Sequence, residues 1–265
     1  MKLLLAAVLA VLVATPAFAQ LEENFLTCAH GDGGDVQIAA CSWMIKHGKQ
    51  KDADLAVSFV NRGVAYQLRG DYPKAAFDYT QATTLLPAYG LAWVNLGSLF
   101  ELDQQPDKAL KLYTNAVERQ PDFPLGWFAR GKLYVTMHKP DLAIADYNTY
   151  MKLQPNDPEA YNNRGDAYLS AGKPDAALAD FDHALTLKPD YLEAKQNRGF
   201  ANLRLAQYDA AIADETAVLA AKPQTAAALY IRGLAKQKKG DNSAQADLTA
   251  AKAIDPKIES TFSAS

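Results

Sequence analysis

The stretch from Asp157 to Pro189, DPEAYNNRGDAYLSAGKPDAALADFDHALTLKP, decides the fold, because it reads as two short helices and a turn and recurs about six times along the chain. Asp157 is a good N-cap, and Pro158 stands at the first helical position, where its missing N–H would have had no partner. Tyr161, Gly165 and Tyr168 then recur at spacings of four and three, one face of a 3.6-residue helix. Gly172 ends that helix and Pro174 opens the next, which carries Ala177, Phe181 and Ala184 on one face and stops near Pro189. Gly165 and Ala177 lack bulk, so the two helices can approach closely beside Tyr161, Tyr168 and Phe181.

Outward from this stretch the period is regular. The first-helix glycine recurs as Gly63, Gly97, Gly131, Gly165, Gly199 and Gly233, each 34 residues after the last. Repeats of this length stack into solenoids. Trp93, Leu96, Gly97, Phe100, Ala109, Tyr113 and Pro121 fit W-x2-L-G-x2-Y…A-x3-F…P, and on these residues the chain resembles the tetratricopeptide-repeat family over 56–257. The resemblance implies an all-α, right-handed superhelical solenoid of about six helix-turn-helix repeats, 56–89, 90–123, 124–157, 158–191, 192–225 and 226–257, with an N-terminal half-repeat cap. The last copy is one residue short between Gly233 and Ala244, a deletion that fits in its turn.

The ends differ from the array. Residues 1–19 hold one basic residue, an apolar run short for a bilayer span, and the small-x-small pattern Ala17-Phe18-Ala19, which reads as a secretory signal peptide. Its removal takes Lys2 with it and moves the net charge from −3 to −4. No cysteine follows the cleavage point to carry a lipid, and the mature chain has no membrane span. The cap, 20–55, contains both cysteines, and exported proteins usually bond such a pair. A Cys28–Cys41 bridge closes a short loop, worth roughly 3 kcal/mol in the chain-entropy picture. Gln37 to Ile45 aligns with a second helix and reads as a lone one, with Asp35 as its N-cap. The alternative for the cap is a redox or metal site using Cys28, His30, Cys41 and His47, although the spacing matches no structural zinc pattern. The tail, 258–265, shows no second-helix pattern and reads as frayed.

Comparing the copies with one another adds a rule of its own. The residue before the glycine is Arg62, Leu96, Arg130, Arg164, Arg198 and Arg232; three residues after the second-helix alanine stand Asp78, Leu112, Asp146, Asp180, Asp214 and Asp247. Arginine goes with aspartate and leucine with leucine. Each charged pair is expected to bridge the two helices of a copy, and Leu96 to touch Leu112. The junction of the fifth and sixth copies breaks the pattern, with Lys195, Asn202, Glu215 and Lys236 where other copies have core residues. Buried charge must pair or stay wet. Glu215 is therefore expected to meet Lys195 or Lys236, the alternative being a soft joint there.

Function in such an array lies on its surface. The resemblance implies a groove lined by first helices, facing the stripe three and six residues before and one and four after the glycine. In this chain the groove candidates are Val60 and Val64 of the first copy, Leu91 and Val94 of the second, and Leu125, Phe128 and Lys132 of the third. Asn162 and Asp166 continue the stripe in the fourth, and Gln196 and Phe200 in the fifth. The stripe passes from apolar to mixed and acidic, a contact surface for a protein or peptide segment unless the cap covers its first copy. The clamp by which some members hold a C-terminal carboxylate needs a lysine and an asparagine where this chain has Val60 and Val64, or Phe128 and Lys132, so that mode is excluded. There is no H-E-x-x-H, no G-x-S-x-G and no phosphate-binding glycine loop, hence no catalytic residue, cofactor or metal is expected. The charge, close to balance, gives no footprint for nucleic acid. The sequence thus reads as an exported, periplasmic interaction scaffold. The other readings are the redox or metal cap, and a structural solenoid that self-assembles into a homo-oligomer through its unsealed last repeat or its groove.

Overall fold

The computed structural model describes residues 16–48 and 51–263, and every regular element among them is an α-helix. The first 15 residues, most of the expected signal peptide, lie outside the described part. The helices form two compact units, one up to Gln120 and one from Pro121. The first contains the pairs α1 (Pro16–His30) with α2 (Asp35–His47), α3 (Asp52–Leu68) with α4 (Tyr72–Leu85), and α5 (Gly90–Leu102) with α6 (Pro106–Arg119). The second contains α7 (Pro124–Thr136) with α8 (Pro140–Leu153), α9 (Pro158–Ser170) with α10 (Pro174–Leu187), α11 (Leu192–Arg204) with α12 (Tyr208–Ala221), and α13 (Ala226–Lys238) with α14 (Ala244–Ile254), followed by α15 (Ile258–Ser263).

Local chemistry sets the helix ends. Proline occupies the first turn of α6, α7, α8, α9 and α10, and the Asp157 carboxylate accepts the Glu159 N–H at 2.9 Å. The turn within each of the six repeat pairs contains one residue at positive φ: Gly70, Gln104, His138, Gly172, Ala206 and Gly240. Glycine takes that conformation freely; Gln104, His138 and Ala206 hold it at some cost.

Each pair closes on the marker glycine. A Cβ on Gly63 would stand 2.6 Å from the ring of Tyr79, one on Gly97 2.5 Å from Tyr113, and one on Gly165 2.5 Å from Phe181. The second-helix alanines Ala75, Ala109, Ala143, Ala177 and Ala211 are fully buried in the same seams. Polar anchors repeat too: Trp93 and Trp127 donate their indole N–H to the carbonyls of Pro87 and Pro121 at 2.9 Å, and the Tyr161 hydroxyl reaches that of Pro155 at 3.2 Å.

The arginine–aspartate pairs are two-pronged. In each, the Nε and Nη2 groups of Arg62, Arg130, Arg164, Arg198 and Arg232 donate to the two carboxylate oxygens of Asp78, Asp146, Asp180, Asp214 and Asp247, at 2.6–2.9 Å. The remaining Nη1 of Arg62, Arg164 and Arg198 reaches back to the preceding pair, to Ser42, Asn148 and Asp182 at 3.0, 2.6 and 2.7 Å. Each of these arginines therefore ties three helices together. Leu96 and Leu112, in the copy without the charges, join one apolar cluster with Tyr79, Ala82 and Leu99.

Two sequence expectations for the ends need correction. The cap is a complete pair: α1 packs on α2, and α2 begins at Asp35 with Gly34 as its capping residue. The tail is ordered through Ser263. Ile258 is buried among Val218, Leu229 and Leu248, and Phe262 lies beside Tyr230 and Phe200, so the last pair is covered by α15 instead of being left unsealed.

The clamp geometry predicts an order of stabilities. Arg164→Leu leaves a buried Asp180 carboxylate without its cation and is expected to cost about 3 kcal/mol in urea unfolding. The double change Arg164→Leu with Asp180→Leu is expected to cost less than the single one; equal or reversed costs would show that the pair does not act as a unit.

Candidate partner-binding faces

The first helices of each unit expose the stripe that sequence reasoning singled out, but not all of it. In the first unit Val60 is only 1% exposed and belongs to the core with Phe59 and Tyr79, so it is no contact residue. Val64 and Leu91 are half-buried against the same cluster, and Val94 is half-buried. The positions one turn further on serve the pair itself: Gln67 accepts the Tyr79 hydroxyl at 2.8 Å and Glu101 the Tyr113 hydroxyl at 2.6 Å. Val57 lies at the surface, where it lines a cleft of about 120 Å3 with Phe25, Cys28, Ala29 and Met44 of the cap. The cap thus borders the first copy's stripe and does not seal it.

In the second unit Leu125 is 47% exposed, and Lys132 is exposed with its ammonium 5.9 Å from the Phe128 ring. Phe128 itself is half-buried, edge-on to Tyr147 and tilted against Tyr150. Asn162, predicted at the surface, is 1% exposed: it donates to Glu193 at 3.3 Å and accepts from Asn197 at 3.0 Å. Its amide needs these partners because it is sealed from water. Asp166 is half-buried, and burial, with the Glu193 charge second, pushes its carboxyl above the usual range. Glu159 and Glu193 are exposed and Gln196 is half-buried. Phe200 meets Phe262 of α15 at 5.2 Å, so the chain's own tail occupies that end of the stripe. The accessible part of this face is therefore Leu125 and Lys132, then the acidic run Glu159, Asp166 and Glu193.

The tetratricopeptide-repeat family model matches residues 60–124 and 128–191. The chain belongs to the tetratricopeptide-repeat (TPR) family. No curated protein matches its sequence. Among solved structures it is similar to YrrB, a TPR protein with an unusual peptide-binding site, at 20% identity and a TM-score of 0.60, over 71% of this chain and 98% of that one. It is also similar to PilF of Pseudomonas aeruginosa, at 16% identity and a TM-score of 0.67 over 82% and 100%, and to MamA, at 22% and 0.57 over 64% and 94%. At such identities the likeness is one of fold. A TPR solenoid supports a protein-interaction scaffold, the coarse function carried by the family.

Against the TPR pattern two places stand out. In the cap, Cys28 and Cys41 form a disulfide with their Cα atoms 4.7 Å apart, and both residues are buried. The bonded sulfurs cannot act as metal ligands, and His47 turns to Trp43, whose carbonyl lies 3.2 Å from its Nδ1. In the fifth copy Glu215 takes the place of the aromatic ring opposite the glycine. It is 0% exposed, and neither carboxylate oxygen has a hydrogen-bond partner. The expected bridge to Lys195 or Lys236 is absent: Lys236 pairs with Asp247 at 2.8 Å, and Asn202 donates to Asp214 at 3.3 Å. Burial, reinforced by the neighbouring Asp214 charge and only partly offset by Arg232, pushes the Glu215 carboxyl up to about 9. Glu215 is thus a neutral acid at pH 7. Sequence reasoning noted the odd residue but not its solution, since protonation removes the need for a cation.

A folded-state value above the ordinary 4.5 means that the fold binds a proton which the unfolded chain has lost. This contribution is whole below about pH 4.5 and is lost as pH rises towards 9, at up to about 1.4 kcal/mol per pH unit. Glu215→Gln is expected to remove the dependence, so the urea midpoints of the variant and the native chain should diverge in the variant's favour between pH 5 and pH 8. Parallel profiles would mean that Glu215 is ionised in the fold.

Proposed function

We propose that the protein is exported to the bacterial periplasm and there holds a segment of another protein against the first-helix faces of its repeats. The observation that carries this reading is the accessible face of the second unit, where the exposed Leu125 precedes the acidic run Glu159, Asp166 and Glu193. An exposed apolar anchor followed by carboxylates suits an amphipathic segment with an apolar side chain at one end and basic residues at the other. The peptide-binding site of YrrB on the same fold supports the class of ligand. Residues 1–19 read as an export signal, and the buried Cys28–Cys41 bridge fits an oxidising compartment. That burial also weighs against the cap as a thiol redox centre, because Cys41 is closed to an attacking thiolate.

The test uses the mature full chain as bait in a crosslinked pull-down from envelope extract, beside Leu125→Ser with Glu159→Lys, a variant at two exposed positions that avoids the half-buried Phe128. A protein captured by the native chain and reduced at least fivefold with the variant is the expected result. Equal capture would place the contact elsewhere on the molecule. Cell fractionation with mass determination checks the compartment: export predicts a periplasmic chain beginning at Gln20, and a cytoplasmic chain retaining residues 1–19 would overturn it.

A further inference from the structure

The first unit contains a second apolar surface that the TPR face does not use. A cleft of about 480 Å3 opens where α4 begins and α5 ends, lined by Tyr72, Pro73, Ala76, Leu99, Phe100, Leu102 and, at its mouth, Asp103. None of the stripe residues lines it. Leu102 is 58% exposed, and Tyr72 is exposed beside it.

The chain itself shows what belongs in such a cleft. At 34-residue spacing, the position of Ala76 is Leu110, Ile144, Leu178 and Ile212 in the next four pairs, and that of Phe77 is Lys111, Ala145, Ala179 and Ala213. In those pairs the first residue is a branched aliphatic and the second an outward-facing one, exposed in every copy. In the first pair the bulk has moved one residue along: Ala76 is small, and Phe77 stands 59% exposed in solvent. Ile144 makes the comparison concrete within the second unit. It is buried in one cluster with Ala167, Tyr168 and Ala171, the counterparts of Leu99, Phe100 and Asp103. Beside α5 that branch is absent; the larger Leu99 faces Ala76 where α9 has Ala167, and a cleft still remains.

The charges at the mouth narrow the occupant further. Asp103 accepts from the Gln105 amide and meets no cation among the described residues. Lys108 holds its ammonium 5.3 Å from the Phe100 ring, and Lys74 pairs with Asp71 at 2.6 Å. We propose that this cleft is a docking site for a helical segment of a partner protein, which inserts a leucine or isoleucine where the chain's own aliphatic branch is missing and sets a basic residue against Asp103. The site is independent of the stripe and of the segment held there.

The proposal is tested on the full chain with an alanine-rich helical peptide carrying one leucine and, one turn later, one lysine. Binding is read from the methyl NMR signals of Leu99 and Leu102. The expected result is a saturable shift of both, about tenfold weaker when the leucine is replaced by alanine and several-fold weaker when the lysine is replaced by glutamate. Ala76→Leu, which supplies the branch internally, is expected to raise Tm and abolish the shift of Leu99; Leu102→Asp, at an exposed position, is expected to abolish binding even if Ala76→Leu fails to fold. No shift at millimolar peptide, binding that survives both substitutions, or shifts produced by decanoate and not by the peptide would each overturn it, the last by assigning the cleft to an acyl chain.

Discussion

Where two antiparallel helices close this tightly over an aromatic ring, the residue facing the ring has no room for a Cβ. In this chain that requirement is met at intervals of 34 residues, with the ring of Tyr79, Tyr113 or Phe181 standing where a Cβ on Gly63, Gly97 or Gly165 would collide with it. The close approach has consequences for everything around it. It buries the second-helix alanines and sets the distance at which an arginine on one helix meets an aspartate on the other. It also directs the remaining faces of the first helices outward. The contact faces exist because the seam is narrow; bulk at the glycine would splay the pair and disperse them.

The same seam explains how charge is handled. Arg62, Arg164 and Arg198 each satisfy a buried aspartate within their own pair and a polar group of the preceding one, so the cost of taking the guanidinium and carboxylate out of water is offset by a full set of hydrogen bonds. Glu215 lies in the same kind of environment without such a partner. It takes the other route open to a buried carboxyl and keeps its proton. One array therefore contains both solutions to a single electrostatic problem. They differ in their response to pH, because a two-pronged ion pair persists across neutral pH while a protonated acid becomes steadily less favourable as protons grow scarce.

The parts of the fold legible in the sequence are those that repeat. The six pairs, their turns and the arginine–aspartate partners follow from spacing, because a requirement imposed six times leaves six marks. The parts that failed to show are those that occur once. Helix α1 begins at Pro16, inside the signal-like stretch 1–19, so its first turn is read there as the end of the export signal and the rest shows too few turns for a period. Helix α15 is six residues long, too short for a period, and is held by Ile258 and Phe262 in the apolar cluster and by the Glu259–Lys252 ion pair at 2.8 Å. Within the stripe, spacing placed Val60 and Asn162 on the right face but could not say how deep that face lies; packing in the cluster that runs from α3 to α5 decides that a valine enters the core, and packing of the next pair that an asparagine is sealed between Glu193 and Asn197.

Departures from the repeat carry the most specific information, and they are of two kinds. At Glu215 the chain alters a residue inside a seam, and the consequence stays inside: no surface changes, only the dependence of stability on protons. At Ala76 and Phe77 it alters the order of two residues at the edge of a seam, and the consequence appears at the surface, since the interior loses a branch and the exterior gains a ring. The second kind changes what another molecule can touch while leaving the glycine, alanine and arginine–aspartate frame of the pair intact. A repeat scaffold can therefore acquire a distinct contact by exchanging two neighbouring side chains, provided that the exchange lies outside the frame that holds the pair closed.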